Sequence, residues 1–210
     1  MDNKQIQVNK DNYEFSKYVP KTRWSSFWHQ ISEIYKLGPE SVLVIGVGDN
    51  IIENIIRSQI KIVHTFDIDP ELKPDICGSI KDLSSCCTQK YDSIICCQVL
   101  EHLPFSNFES CIKQISDTTN KYCILSLPQK YYFSFHLVIS ILWKKKSFFI
   151  SRIKKNVKHT FDGQHYWEIG AKESSLKDVK NIVEKYFSIK REYTVQENPY
   201  HRFFILGKRN

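Results

Sequence analysis

Seven cysteines are scattered through the 210-residue chain, yet none forms a C-x-x-C pair. Their number is odd, and Cys86-Cys87 and Cys96-Cys97 are immediate neighbours. Neighbouring thiols make poor metal clamps and poor disulfide frameworks. Most lie in apolar runs, so small buried hydrophobes are expected, and unpaired thiols suit a reducing cytoplasm. An apolar leader core is also missing from the opening MDNKQIQVNKDNYEF. The apolar run from Tyr131 to Trp143 is 13 residues, short of a bilayer span. Acids are absent from residues 130–160, which hold eight lysines and arginines. That segment alone carries +8 against a chain total of +7, so the remainder is one unit negative. Basic character is therefore local, which argues against a protein that coats nucleic acid. No internal repeat or low-complexity linker interrupts the chain. A single cytoplasmic domain over residues 1–210 is expected, long enough to bury a sizeable core.

What is present is an alternation of strand-length apolar runs with helix-like stretches. SVLVIG (41–46), KIVHTFDI (61–68), YDSIICCQV (91–99) and KYCILSLP (121–128) are almost continuously apolar, as strands covered on both faces are. Between them, Ile51, Ile52, Ile55 and Ile56 fall at helical spacing, as do Phe108, Cys111, Ile112 and Ile115, with Ser106 as N-cap. GSIKDLSSCC (78–87) reads as a further helix. Ahead of the first strand, residues 25–38 read as an amphipathic helix ending at Gly38; residues 175–187 form another near the end. The closing SIKREYTVQ and YHRFFILGK are strands joined through ENP, hence antiparallel. The pattern predicts an α/β fold, a Rossmann-like parallel sheet with helices on both faces, followed by the closing antiparallel pair.

SVLVIGVGDN ends a strand on Gly46 and Gly48 and opens a helix. Such a loop exposes free backbone N–H groups, and glycine lets a ligand come close to the backbone. A dinucleotide fingerprint needs a third glycine where Ile51 stands, so a ligand without a pyrophosphate fits better. Asp67 ends the next strand, 19 residues after Gly48, where a carboxylate can accept two hydrogen bonds from a ribose diol. Asp69 lies close by and can as readily cap the strand end.

VLVIGVGDN, TFDIDPELKPDICGSIKDL, YDSIICCQVLEHLPF and YCILSLP together resemble, in order and spacing, the motifs of class I S-adenosylmethionine-dependent methyltransferases of the small type 11 sort. The resemblance covers residues 15–208 and implies a seven-stranded sheet whose last strand is inserted antiparallel. It implies S-adenosyl-L-methionine as cofactor, with Gly46 and Gly48 against its methionine part. Asp67 would bind the ribose hydroxyls, Ile68 would pack on the adenine, and Ser79 and Ile80 would contact its edge. Gln98 would lie near the sulfonium or the carboxylate. Two positions depart from the pattern: Ser79 replaces a usual Asp, and Asn50 a frequent third glycine. The segment 1–38 resembles a lid, in which Arg23 either meets the cofactor carboxylate or, the reading preferred, is simply a solvated charge.

Methyl transfer from a sulfonium has a good leaving group, so alignment supplies much of the rate, and a hydroxyl or amine acceptor also needs a base. The candidates are Glu101 and His102, after the fourth strand, and His165 in FDGQHYWEIG (161–170). Some relatives hold a divalent metal with E-x-x-E-H; here Gln98 removes a carboxylate, and no metal is expected. Glu101 and His102 can equally shape their loop, and the aromatic residues beside His165 can simply pack. His201 and Arg202 are weaker candidates. The segment 129–160 follows the fifth strand and is expected as an insertion. Three placements remain open for it: a lid facing an anionic acceptor, a helix packed on the core, or a peripheral membrane contact through residues 131–155. The expected acceptor is an O- or N-nucleophile of a small molecule, sugar or lipid-linked intermediate, nucleic acid less so. The competing readings are an NAD(P)-dependent oxidoreductase and a non-catalytic nucleoside-binding or membrane-surface module.

Overall fold

The computed structural model describes residues 13–209. Residues 1–12, which hold most of the stretch read for a leader, and Asn210 lie outside the described residues. In chain order the elements are α1 (Phe15–Tyr18), α2 (Lys21–Leu37), β1 (Ser41–Ile45), α3 (Ile51–Ile56), β2 (Ile62–Asp67), β3 (Ile76–Cys77), α4 (Leu83–Cys86) and β4 (Tyr91–Cys97). They continue with α5 (Phe108–Thr118), β5 (Thr119–Pro128), β6 (Tyr131–Ile141), β7 (Lys144–Ile153), α6 (Leu176–Tyr186), β8 (Phe187–Thr194) and β9 (His201–Lys208).

Seven strands form one sheet in the order β3-β2-β1-β4-β5-β9-β8. β3, β2, β1, β4 and β5 pair in parallel, and β9 runs antiparallel to both β5 and β8. This is the Rossmann-like, mostly parallel seven-stranded sheet with an antiparallel last strand that the resemblance implies, its parallel part following the apolar runs. Period-two alternation splits the apolar residues between two cores. Leu43, Ile45, Ile94, Cys96 and Leu125 face one way, against Phe108, Ile112 and Ile115 of α5 and Val179 and Val183 of α6. Val42, Val44, Ile95 and Ile124 face the other, against Phe27 and Ile34 of α2 and Ile52 and Ile56 of α3. Each such side chain fully buried contributes about 1.5–3 kcal/mol relative to exposure.

Gly38 ends α2 as expected: it is left-handed, with φ 58°, and its N–H donates to Ile34 O. Ser175 caps α6, accepting from Asp178 N–H. Four local expectations need correction. β3 is two residues long, too short for a periodic signal, and was not foreseen in the sequence. Residues 78–87 form a 3₁₀ turn (Ile80–Asp82) and the four-residue α4 instead of one helix. Ser106 is not the cap of α5; it lies in a 3₁₀ turn over Phe105–Asn107, and the helix starts after Asn107 with no side-chain cap bond. The largest departure is the insertion. It is neither a helix nor packed on the core, but a two-stranded antiparallel hairpin, β6–β7, from which the main sheet is separate. Its β-branched and aromatic residues favour strand over helix. Among the described residues no helix is long and apolar enough to cross a membrane.

Candidate functional site

The strand order turns at β1, which lies between β2 and β4. In open α/β sheets the crevice outside the carboxyl ends at such a switch point is where ligands bind. A cleft opens there, walled by Gly46, Gly48, Asp67, Ile68, Ser79 and Ile80, with Gln98 and His102 on the β4 side. All seven residues assigned to the cofactor from sequence thus line one cavity.

Gly46 has φ 83° and donates its N–H to Phe66 O at 2.9 Å. A Cβ at Gly46 would sit 2.6 Å from Val99 Cγ2, so the close approach of the two loops requires glycine. Gly48 has φ 58°. Asn50 is left-handed too, at φ 62°, which explains why Asn serves where glycine would: it tolerates this conformation best among side chains. Asp67 Oδ2 accepts from Val47 N–H at 2.8 Å and Oδ1 from Asp69 N–H at 2.9 Å. These bonds lock the carboxylate at the mouth of the glycine loop and leave lone pairs for a ligand diol. Burial pushes Asp67 above the usual carboxylate range, with the backbone hydrogen bonds pulling against it. Asp69 accepts from Glu71 N–H at 2.9 Å and caps a 3₁₀ turn, the structural role open to it from sequence. Ser79 Oγ accepts from Lys81 N–H at 3.3 Å, again as a cap, while facing the cleft. Gln98 is left-handed at φ 57°, a conformation rare outside glycine, and its Nε2 donates to Ser126 Oγ at 3.0 Å.

Beyond Gln98 the chain brings together the three residues put forward for chemistry. One ring nitrogen each of His102 and His165 and a carboxylate oxygen of Glu101 lie within 4.8 Å of one another. The imidazole rings meet edge to face at 5.1 Å. Glu101 is 0% exposed, and neither carboxylate oxygen has a hydrogen-bond partner among the described residues. Burial raises its pKa, with His102 and His165 opposing. His102 Nδ1 lies 2.9 Å from Gln164 O, and a carbonyl only accepts. Nδ1 therefore carries the proton, and in the neutral ring Nε2 is the basic nitrogen. Tyr200 O–H donates to Glu168 Oε1 at 2.5 Å, so the Tyr200 oxygen is left to accept from His165 Nδ1 at 3.0 Å. For His165 burial acts downward, but the Glu168 carboxylate, 3.5 Å from Nδ1, and the charges of Glu101 and Asp162 outweigh it and raise the pKa.

The loop that carries His165 is held by specific contacts. Asp162 Oδ1 accepts from Gln164 and His165 N–H at 3.0 and 2.7 Å, forming the turn that Asp162-Gly163 signals. Tyr166 N–H donates to Glu101 O at 2.8 Å, and Trp167 Nε1 donates to Leu103 O at 3.0 Å. Trp167 packs on Phe105 and Phe108, so it belongs to the core.

Other candidates resolve differently. Arg23 lies 4.0 Å over the Tyr18 ring. His201 is buried, with its pKa lowered to about 3 by burial, and Arg202 is bound by Gln129 Oε1 and Glu192. Arg202 thereby ties β9 to Glu192 of β8. All seven cysteines are free; Cys96, Cys111 and Cys123 are buried as expected, Cys77 is exposed, and Cys97 reaches the cleft. Sequence reasoning missed Tyr13 and Tyr18, which also line the cleft and pack edge to face at 4.8 Å. Their only signal was their place in the segment read as a lid. It also missed Gly78, where a Cβ would meet Cys86 Sγ at 2.9 Å and the Phe66 ring at 3.2 Å.

No protein-family model matches the chain, and no curated protein does so significantly by sequence. Solved structures do match in fold. The magnesium protoporphyrin IX methyltransferase of Synechocystis, crystallised with bound SAM, is 15% identical over 90% of this chain and 80% of that one, with a TM-score of 0.58. The N-methyltransferase NodS of Bradyrhizobium japonicum, in complex with S-adenosyl-L-homocysteine, is 10% identical over 97% and 95%, at 0.59. The 1,6-didemethyltoxoflavin-N1-methyltransferase of Burkholderia thailandensis, with its substrate and S-adenosylhomocysteine bound, is 10% identical over 95% and 83%, at 0.62. At these identities the likeness is one of fold, a Rossmann-like fold shared with these methyltransferases.

Proposed function

We propose that this chain is an S-adenosylmethionine-dependent methyltransferase acting on an O- or N-nucleophile of a small molecule. The observation that carries the reading is the Asp67 carboxylate, fixed by Val47 and Asp69 N–H groups at the mouth of a glycine loop that has no room for a side chain at Gly46. The cleft residues fit the cofactor. Asp67 would take the ribose diol, Ile68 and Ile80 an adenine between apolar walls, and Ser79 its amino edge. Gly46, Gly48 and Gln98 would lie along the methionine part. When bound, S-adenosylmethionine supplies a methyl group activated by a sulfonium.

The protein's own part is to orient the acceptor and to take its proton. His102 lines the cleft, and its Nε2 is the basic nitrogen of the neutral ring. His165 stands beside it, and the buried Glu101 carboxylate next to both stabilises an imidazolium when it forms. Two imidazoles and a carboxylate in such proximity call for a positive charge among them. A proton shared by the cluster meets that need. The same three donors also suit a divalent cation, a second reading favoured by the unpartnered, buried Glu101 oxygens. Chelator treatment separates the two: activity unaffected by EDTA supports the proton, and activity lost to EDTA and restored by a divalent metal supports the cation.

Calorimetry with S-adenosylhomocysteine tests the cofactor assignment. Asp67→Ala removes charge-assisted hydrogen bonds of about 1.5–3 kcal/mol each, so affinity is expected to fall at least tenfold. Binding of the intact protein to NAD, with none to S-adenosylhomocysteine, would overturn the assignment in favour of an oxidoreductase.

A further inference from the structure

The β6–β7 hairpin leaves the sheet just after β5, at the carboxyl edge on which the cleft opens. Eleven residues of β6 reach roughly 36 Å at about 3.3 Å per residue. The register Phe135↔Ile150 and Leu137↔Phe148 puts these four side chains on one face, continued by Ile139 and Ile141, and all six are exposed. The opposite face pairs Ser134 with Ser151, His136 with Phe149, Val138 with Ser147 and Ser140 with Lys145. The first face is the more apolar of the two, with Lys146 beside Ile139 and Lys144 beside Ile141 toward the tip, so that aliphatic side chains and cations share one exposed surface. At the tip Leu142 is 92% and Trp143 100% exposed, followed directly by Lys144, Lys145 and Lys146.

Monomeric soluble proteins rarely leave so continuous an apolar patch open, and such patches mark interaction sites. Charge selects among occupants. The segment from 130 to 160 carries eight cations and no acid, so two copies meeting through this face would repel. Nucleic acid would use the lysines but not the aliphatic row of Leu137, Ile139 and Ile141. An anionic bilayer uses both. Tryptophan settles at the headgroup boundary, aliphatic side chains enter the acyl region, and lysines beside them meet lipid phosphates.

We propose that the β6–β7 hairpin seats the protein on an anionic membrane surface, with Leu142 and Trp143 inserted at the headgroup–acyl boundary and Lys144, Lys145 and Lys146 on the phosphates. The inference is independent of the group transferred in the cleft. Base contacts, Lys154 N–H to Lys130 O at 2.8 Å and Lys130 N–H to Ile169 O at 2.9 Å, tie the hairpin to the loop that carries His165 and Glu168. Membrane attachment at the tip would therefore keep the carboxyl edge within the reach of β6, roughly 36 Å, of the lipid surface.

The test is co-sedimentation of the full chain with vesicles of phosphatidylcholine alone and of phosphatidylcholine mixed with phosphatidylglycerol. Binding is expected to the mixed vesicles, roughly tenfold or more above the neutral ones, and to weaken with salt. The double variant Leu142→Ser, Trp143→Ala is expected to lose about tenfold in partitioning, while its melting temperature and S-adenosylhomocysteine binding stay those of the parent. Because both side chains are exposed, folding is not at stake, and the melting temperature verifies it. No binding to the mixed vesicles overturns the proposal, as does binding that the tip variant leaves unchanged. Self-association or capture of an oligonucleotide in the absence of vesicle binding would overturn it too, and would assign the face to a second copy or to nucleic acid.

Discussion

β4 and β6 are both apolar strands, and they meet opposite fates. In β4, Ile94, Ile95 and Cys96 are buried, because β1 and β5 flank the strand and α2, α3 and α5 cover its faces. In β6, Phe133, Phe135, Leu137, Ile139 and Ile141 are exposed, because β7 is its one sheet neighbour among the described residues. Apolar composition makes a strand seek cover; it does not say whether the chain itself supplies that cover. The comparison also separates two kinds of function. The buried strands position a rigid cleft by their ends, whereas the hairpin offers a surface along its length.

The widest gap between the two regions is in stability. Phe204→Ala, in β9 at the centre of one core, should cost about 3–5 kcal/mol by loss of burial and cavity formation. Trp143→Ala, at the hairpin tip, should leave the urea midpoint where it is. A comparable loss at both positions would show that the hairpin packs against the domain, and the comparison would fail. A smaller effect is expected where the core meets the cleft. Gly46→Ala places a side chain at positive φ, at a cost of about 1–2 kcal/mol, and drives it against Val99. S-adenosylhomocysteine affinity should fall with it, and the added substitution Val99→Ala should return part of the stability but not relieve the φ strain. Full recovery in the double variant would assign the whole effect to the clash.

The smallest expected change is a displacement along the pH axis. His165 has a raised pKa in the folded protein, so its contribution to stability is complete below the unfolded value of about 6.5 and is lost as pH rises through the folded value. The proton-accepting role proposed for this cluster needs a neutral imidazole, so the rate should fall as pH drops through the same folded value. Glu168→Gln removes a carboxylate that holds the pKa up, and the acid limb should move to lower pH. Trp143→Ala should leave that limb in place. A limb unmoved by Glu168→Gln would exclude this cluster as the source of the titration.

Much of the fold was legible because its signals are local. The four apolar runs, Gly38 after α2 and Ser175 before α6 are short-range patterns that carry their own physical cause. β3 was not legible, because two residues have no period, and the capping of α5 was misread because Ser106 and Asn107 compete at one turn. In the site, Gly46, Gly48 and Asp67 stood out by strand-end position. Tyr13, Tyr18 and Gly78 did not, since they reach the cleft from segments whose placement depends on packing.

By itself the sequence determined the parallel sheet, the pyrophosphate-poor glycine loop and the acid that closes β2, since each follows from the period or the side chain of a few adjacent residues. Only the tertiary structure decided that Glu101, His102 and His165 share one small volume, and that residues 131–153 stand out as a ribbon. Both outcomes depend on long-range pairing: the bond from Tyr166 N–H to Glu101 O brings together residues 65 positions apart, and solvent, not the core, faces Trp143.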